Sequence, residues 1–216
     1  MSDQPRRRGY HHGNLREALI EATIDLIEEK GPQGFTIAEA AKRAGVSAAA
    51  PYRHFAGRDD LIAEVARCGF VLFAELMEFA YDDGGPSALS AFLATGRAYL
   101  AFAEKHPGYY MAMFESGVPL NATPELARAS ERATAILTLA AARLSEHLPA
   151  ERRPPASMFA AHIWAMSHGV VELFARSTPG SRGPFPADQL LETGIGIYLR
   201  GLGLIPPDTG PEPEKI

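Results

Sequence analysis

Between residues 15 and 27 the apolar positions recur at helical spacing. Leu15, Leu19, Ala22 and Leu26 fall at i, i+4, i+7 and i+11, with Ala18 and Ile27 widening the stripe. Asn14 is placed to cap this helix, and Lys30-Gly31-Pro32 ends it. The stretch Thr36–Arg58 then reads as two short helices around a tight turn. Thr36 and Glu39 make a T-x-x-E capping box, and Phe35 ahead of the cap can pack back on Ala40. Ile37, Ala40, Ala41 and Ala44 form a narrow inner face of small residues. Gly45 suits the left-handed residue that ends a helix, Val46 plugs the turn, and Ser47 can cap the next helix. That second helix runs through Tyr52 to Phe55. Pro51 brings no backbone N–H, so the spacing predicts a short, tight or 3₁₀-like helix. Two helices with small inner faces can cross steeply. The pattern is a helix-turn-helix, whose second helix can enter a DNA major groove.

Downstream, Arg58-Asp59-Asp60 opens a long helix, its acids suited to the N-terminal dipole. Leu61, Ile62, Val65, Phe70, Leu72, Phe73, Leu76 and Phe79 carry it to about Tyr81, and the run 82–86 breaks it. Proline-rich breaks separate further helices over 87–105, 107–116, 123–147, 156–177 and 185–203. No alternating run of apolar and β-branched residues reads as a strand, so the class is all-α.

The string G-V-S-x-x-x-x-Y-R-H-F at 45–55, followed by Arg58 and Leu61, resembles the DNA-binding module of the TetR family of bacterial repressors. The resemblance implies that Thr36, Tyr52, His54 and Arg58 hold phosphates on either side of the groove. Arg58 stands where lysine is usual, and Pro51 where a larger aliphatic residue is common. Ser47, Ala48, Ala49, Ala50 and Arg53 face the groove in this reading. The alanines offer base edges no hydrogen bonds, only contact with thymine methyl groups. A second resemblance follows. H-P-G-Y-Y-M-A-M-F at 106–114 and W-A-M-S-H-G at 164–169 resemble the effector domain of a TetR subgroup with a Trp–His–Gly signature. It implies a small-molecule pocket between the fifth and eighth helices and a homodimer built by the last two.

Charge sharpens the DNA reading. The first sixty residues hold nine Lys/Arg and nine Asp/Glu, and the net charge of −5 comes from the remainder, with twelve against seventeen. An acidic chain can still bind double-stranded DNA if its cations converge. Arg6, Arg7 and Arg8 form a basic arm, and Lys42, Arg43, Arg53 and Arg58 cluster in the helix-turn-helix. The acids Glu17, Glu21, Asp25, Glu28 and Glu29 lie on another surface of the first helix.

The remaining chemistry is that of a binding protein. Phe102, Tyr109, Tyr110, Met113, Phe114, Phe159, His162 and Met166 supply aromatic and thioether surface with a few polar groups, the makings of an effector pocket or of ordinary core. His162 and His168 stand six apart and point to different sides of a helix, so no metal site is expected. No nucleophile elbow or phosphate-cradling glycine loop occurs, so neither catalytic residues nor cofactors are expected, and the chain is not read as an enzyme. The single cysteine, the lack of a signal-like segment and the lack of an 18-residue apolar run predict a cytoplasmic location and no membrane partner. The expected organisation is a basic arm at 1–13, a DNA-binding domain at 14–58, an effector and dimerisation domain at 59–205, and a disordered tail at 206–216. The competing class is a ligand-binding or enzymatic helical protein that uses its N-terminal helices only as scaffold.

Overall fold

The computed structural model describes residues 15–176 and 184–206. The arm with Arg6, Arg7 and Arg8, the Asn14 cap, the loop at 177–183 and the tail from 207 lie outside the described residues. The described residues are all-helical, without a strand. The helices are α1 (Leu15–Lys30), α2 (Ile37–Arg43), α3 (Arg58–Asp82), α4 (Ala88–Lys105), α5 (Pro107–Phe114), α6 (Pro124–Ser145), α7 (Ala156–Val170) and α8 (Ala187–Leu202). Short 3₁₀ turns occupy Pro51–Arg53 and Ala150–Arg152.

α1, α2 and the Pro51–Arg53 turn form the N-terminal helix-turn-helix. The capping box is complete: Thr36 Oγ1 accepts from the Glu39 N–H at 3.2 Å, and Glu39 accepts from the Thr36 N–H at 2.8 Å. α2 ends in a Schellman pair, with Val46 N–H bonded to the Ala41 carbonyl and Gly45 N–H to that of Lys42. Gly45 takes the left-handed φ of +73° that this ending needs. Ser47 does not cap a helix through its hydroxyl. Its carbonyl accepts from Ala50 N–H at 2.9 Å, forming a turn that leads into the proline-started 3₁₀ element.

α3 is the spine. At 1.5 Å per residue its 25 residues span about 37 Å, from the helix-turn-helix into the helical body. Phe70, Phe73 and Met77 are fully buried along it. Phe73 meets Tyr99 and Trp164 edge-on at 5.1 and 6.3 Å, tying α4 and α7 to the spine. The expected single helix over 156–177 stays helical as far as Ala175 but changes pitch. After Val170 it widens into a π-turn, Val171–Ala175, closed by Arg176 N–H to the Val171 carbonyl at 2.9 Å.

The N-terminal module is docked on α5 as well as joined to α3. Glu28 Oε1 accepts from Gly108 N–H at 3.0 Å, and Gln33 Nε2 donates to the Ser116 carbonyl at 2.5 Å. A Cβ at Gly108 would stand 2.7 Å from Ile24 Cγ2, so glycine permits the close approach.

Candidate functional site

The turn after α2 presents an exposed segment. Lys42, Ser47, Ala48, Ala49, Arg53 and His54 are exposed, Ala50 is half-buried, and Tyr52 is 60 % exposed. Pro51 and Phe55 are the anchors that turn inward. Thus neither Tyr52 nor His54 packs under α1, and this short segment shows two aromatic polar rings, one guanidinium and a flat patch of alanine.

Three other residues of the expected DNA set are engaged within the chain. Arg43 makes a two-pronged pair with Glu29 on α1, at 2.6 and 2.5 Å. Thr36 spends its hydroxyl on Glu39, whose carboxyl is held down at about 2, chiefly by the Lys30 ammonium and then by Thr36. Arg58 departs furthest from the expected phosphate role. Its guanidinium donates to the Pro32 carbonyl and to Gln33 Oε1 at 2.9 Å, pairs with Asp59 at 3.0 Å, and lies 5.3 Å over the Phe35 ring. The physical reason is position: at the first turn of α3, Arg58 faces the α1–α2 corner, whose carbonyls need a donor.

The expected effector residues do not gather around one space. Phe102, Tyr110, Phe159 and Met113 are buried core. Phe102 packs on Phe73, and Phe159 sits between Phe92 and Tyr198. Tyr109 is half-buried beside His106, and Met113 and Tyr109 close over Gly69. His162 is exposed and bonds the Tyr198 hydroxyl at 2.9 Å, while Met166 lies half-buried near Gly194 on α8. Phe114 alone of the eight lines the large apolar cavity, an open-sided space of about 880 Å³ between α6 and α7. Phe70 and Trp164 complete its aromatic part, with Leu137 and Leu139 on the α6 side. Sequence reasoning missed the α6 wall. The signal was the four-residue spacing of Ser130, Thr134 and Thr138, which puts all three on one face.

A polar cluster lies behind that cavity. The hydroxyls of Tyr99 and Tyr110 stand 3.1 and 2.8 Å from His168 Nδ1, and burial pushes both phenols well above their ordinary range. Arg176, beyond the π-turn, lies 5.1 Å over the Tyr110 ring and pairs with Glu115 at 2.8 Å. Burial raises the Glu115 carboxyl, and Arg176 pulls it back. His168, half-buried among tyrosines, is a hydrogen-bond partner in this setting. No group of three metal-ligating side chains occurs among the described residues. Among the same residues, no helix is long and apolar enough to cross a membrane.

Two family models match the chain. One, described as bacterial regulatory proteins of the tetR family, covers residues 19–65. The other, described as a tetracyclin repressor-like C-terminal domain, covers residues 92–197. An uncharacterized HTH-type transcriptional regulator of Bacillus subtilis, YobS, is 29 % identical over 101 residues, 46 % of this chain and 51 % of the relative. The chain thus spans about half the length of that relative. A solved protein of unknown function from Rhodococcus sp. RHA1 is 26 % identical with a TM-score of 0.75, covering 90 % of this chain and 98 % of its own. AibR, solved with isovaleryl coenzyme A and operator DNA, shares the fold at 17 % identity with a TM-score of 0.65, over 85 % of this chain and 97 % of its own.

Proposed function

This chain is a TetR-type regulator, and from that premise we propose that it is a homodimeric repressor released from a pseudopalindromic operator by a small apolar effector. The observation that carries the DNA half is the exposed segment from Ser47 to His54, seated on a capped, glycine-closed helix-turn-helix. Arg53, Tyr52 and His54 are its outward polar groups, and with the exposed Lys42 of α2 they contact phosphate oxygens and base edges. Ala48 and Ala49 bring the backbone close to the groove and favour thymine methyl groups. Arg43, Thr36 and Arg58 shape the module from within, and Arg6, Arg7 and Arg8 extend it as an arm. Residues 14–58 are the DNA-binding domain and residues 59–205 the effector and dimer domain.

The effector half rests on the α6–α7 cavity. A space of about 880 Å³ is within the usual range for small-molecule sites, and its aromatic part includes Phe114 of α5. α1 is docked on α5 through the Gly108–Glu28 bond, and Gln33, just past α1, bonds Ser116, just past α5. A ligand that displaces Phe114 therefore bears on the helix-turn-helix directly, beside the path through α3. Ligand and operator then compete through one equilibrium. The Trp–His–Gly subgroup fits this reading, because Trp164 lines the cavity and His168 bonds the tyrosines behind it.

The dimer is read from faces the chain leaves uncovered. Met158 and Leu173 lie outward on α7 and its π-turn, clear of the cavity wall, and Ile197 and Gly201 lie outward on α8. Leu173 is 66 % exposed and Ile197 64 %. A Cβ at Gly169 or Gly201 would meet nothing within 4 Å among the described residues, so a partner helix can approach closely there. Phe159, Ile163, Leu191 and Ile195 are turned inward and belong to the chain's own core. A four-helix seam of this type buries roughly 2,000 Å² or more.

The test is selection of DNA by the purified protein. The expected result is a two-fold motif with half-sites about one helical turn apart, rich in thymine where Ala48 and Ala49 reach. Recovery of unselected sequence at all salt concentrations overturns the operator reading and favours the scaffold alternative.

A further inference from the structure

We propose that the α6–α7 cavity takes a lipophilic cation, an apolar body bearing a positive charge or N–H donors, and discriminates against anions. The inference rests on reading this cavity as the effector site. Three features of its wall carry it. First, no lysine, arginine or histidine lines the cavity among the described residues, and Glu131 is its one ionisable group. Glu131 is exposed at the rim and makes no ion pair among the described residues. Second, the three hydroxyls of the α6 wall have spent their protons. Ser130 donates to the Ala127 carbonyl at 2.9 Å, Thr134 to that of Ser130 at 3.0 Å, and Thr138 to that of Thr134 at 3.0 Å. While those bonds are made, what a ligand meets there is oxygen lone pairs, which accept. Third, Phe114 meets Phe70 and Trp164 edge-on, at 5.6 Å and 79° and at 5.9 Å and 81°. The wall is therefore rich in aromatic rings, whose π faces attract cations.

Each feature acts in the same direction. An anion would meet a carboxylate, outward lone pairs and π faces, with Ser157 as the remaining hydroxyl of the wall and no cation to balance it. A charge that gives up part of its water without gaining a partner is disfavoured. The multiply phosphorylated coenzyme A thioester of AibR is therefore the wrong class of ligand for this cavity. A cation satisfies the acceptors, lies against the rings and pairs with Glu131 at the mouth.

Tetraphenylphosphonium and tetraphenylborate have nearly one shape and opposite charges, so together they isolate the charge term. Trp164, the single tryptophan of the chain, lines the cavity and reports binding by its emission. The full chain is titrated with each ion in potassium-free buffer, alone and with operator DNA. The expected result is saturable quenching by the phosphonium, with the borate weaker by about ten-fold or more. Glu131→Gln should weaken the phosphonium by about two- to five-fold and leave the borate unweakened. Equal or tighter binding of the borate overturns the proposal, and so does the absence of any response to the phosphonium. Phosphonium binding untouched by Glu131→Gln removes the carboxylate's role. If the phosphonium binds as expected yet leaves operator affinity unchanged, the ligand class stands and the effector reading of the cavity fails.

Discussion

Glu28 on α1 and Gly108 on α5 are joined by a hydrogen bond of 3.0 Å, the carboxylate accepting from the backbone N–H. The bond closes an unpaired donor in the first turn of α5 and ties the N-terminal module to α5 beside the covalent path through α3. No room is left for a side chain, since Ile24 Cγ2 and Glu28 Oε1 lie 2.7 and 2.9 Å from where a Cβ would be. Gly108→Ala should cost about 1–3 kcal/mol of stability by overpacking this contact. It should also change operator affinity without ligand while leaving binding in the α6–α7 cavity intact. Thermal unfolding and ligand titration of the variant check both, and unchanged stability would show that α5 is free to retreat.

Arg53 and Arg58, five residues apart, should behave differently on mutation. Arg53→Ala should weaken binding to all DNA sequences and lower the salt slope by about one, without changing stability. Arg58→Ala removes donors from Pro32 and Gln33 and a cation from the Phe35 face. It should lower stability by about 1–2 kcal/mol. Salt-dependent binding curves set beside melting curves separate the two. A full salt-slope change in stable Arg58→Ala protein would restore its phosphate role.

Glu64 links α1 to α3 by accepting from Arg16 and Arg67, each at 2.7 Å. Burial opposes its charge, yet the two guanidinium groups prevail and hold the carboxyl at about 2, below its ordinary value of 4.5. The folded pKa is depressed, so this stabilisation is present above the unfolded pKa and is lost as pH falls from about 4.5 towards 2. Glu64→Gln should therefore cost about 1–2 kcal/mol at neutral pH. That difference from the parent should shrink across the same acid window. A constant difference at pH 7 and pH 3 would mean the charge contributes nothing.

Ile197→Glu places a charge on the outward face of α8, where the parent side chain is 64 % exposed in one chain. In sedimentation the parent should be a dimer at micromolar concentration and the variant a monomer. Its operator affinity should fall by about a hundred-fold or more, because two half-sites no longer engage together. A variant that remains dimeric would move the seam away from this face.

Much of the chain was legible locally. The capping box at Thr36–Glu39, the Gly45 ending and the Pro51 turn follow from residues within five positions of one another, and each appears as expected. Such features are short-range, and backbone hydrogen bonding in one turn decides them. Helix spans and the all-α class were legible for the same reason, through apolar spacing.

What the sequence could not decide was the direction in which a side chain points once several helices compete for it. Phe159 and Met158 are adjacent and both apolar, but only the packed bundle makes one core and leaves the other 55 % exposed. Arg53 and Arg58 are equally basic, and only the α1–α2 corner withdraws the second from the surface. Phe114 lines the cavity while its neighbour Met113 is core, because Phe114 turns toward Phe70 and Trp164 whereas Met113 lies against Gly69 of α3. These outcomes depend on contacts far apart in sequence. Periodicity identifies the apolar faces of a helix, but only the positions of its neighbours determine which face is covered, which encloses a cavity and which is left for a partner.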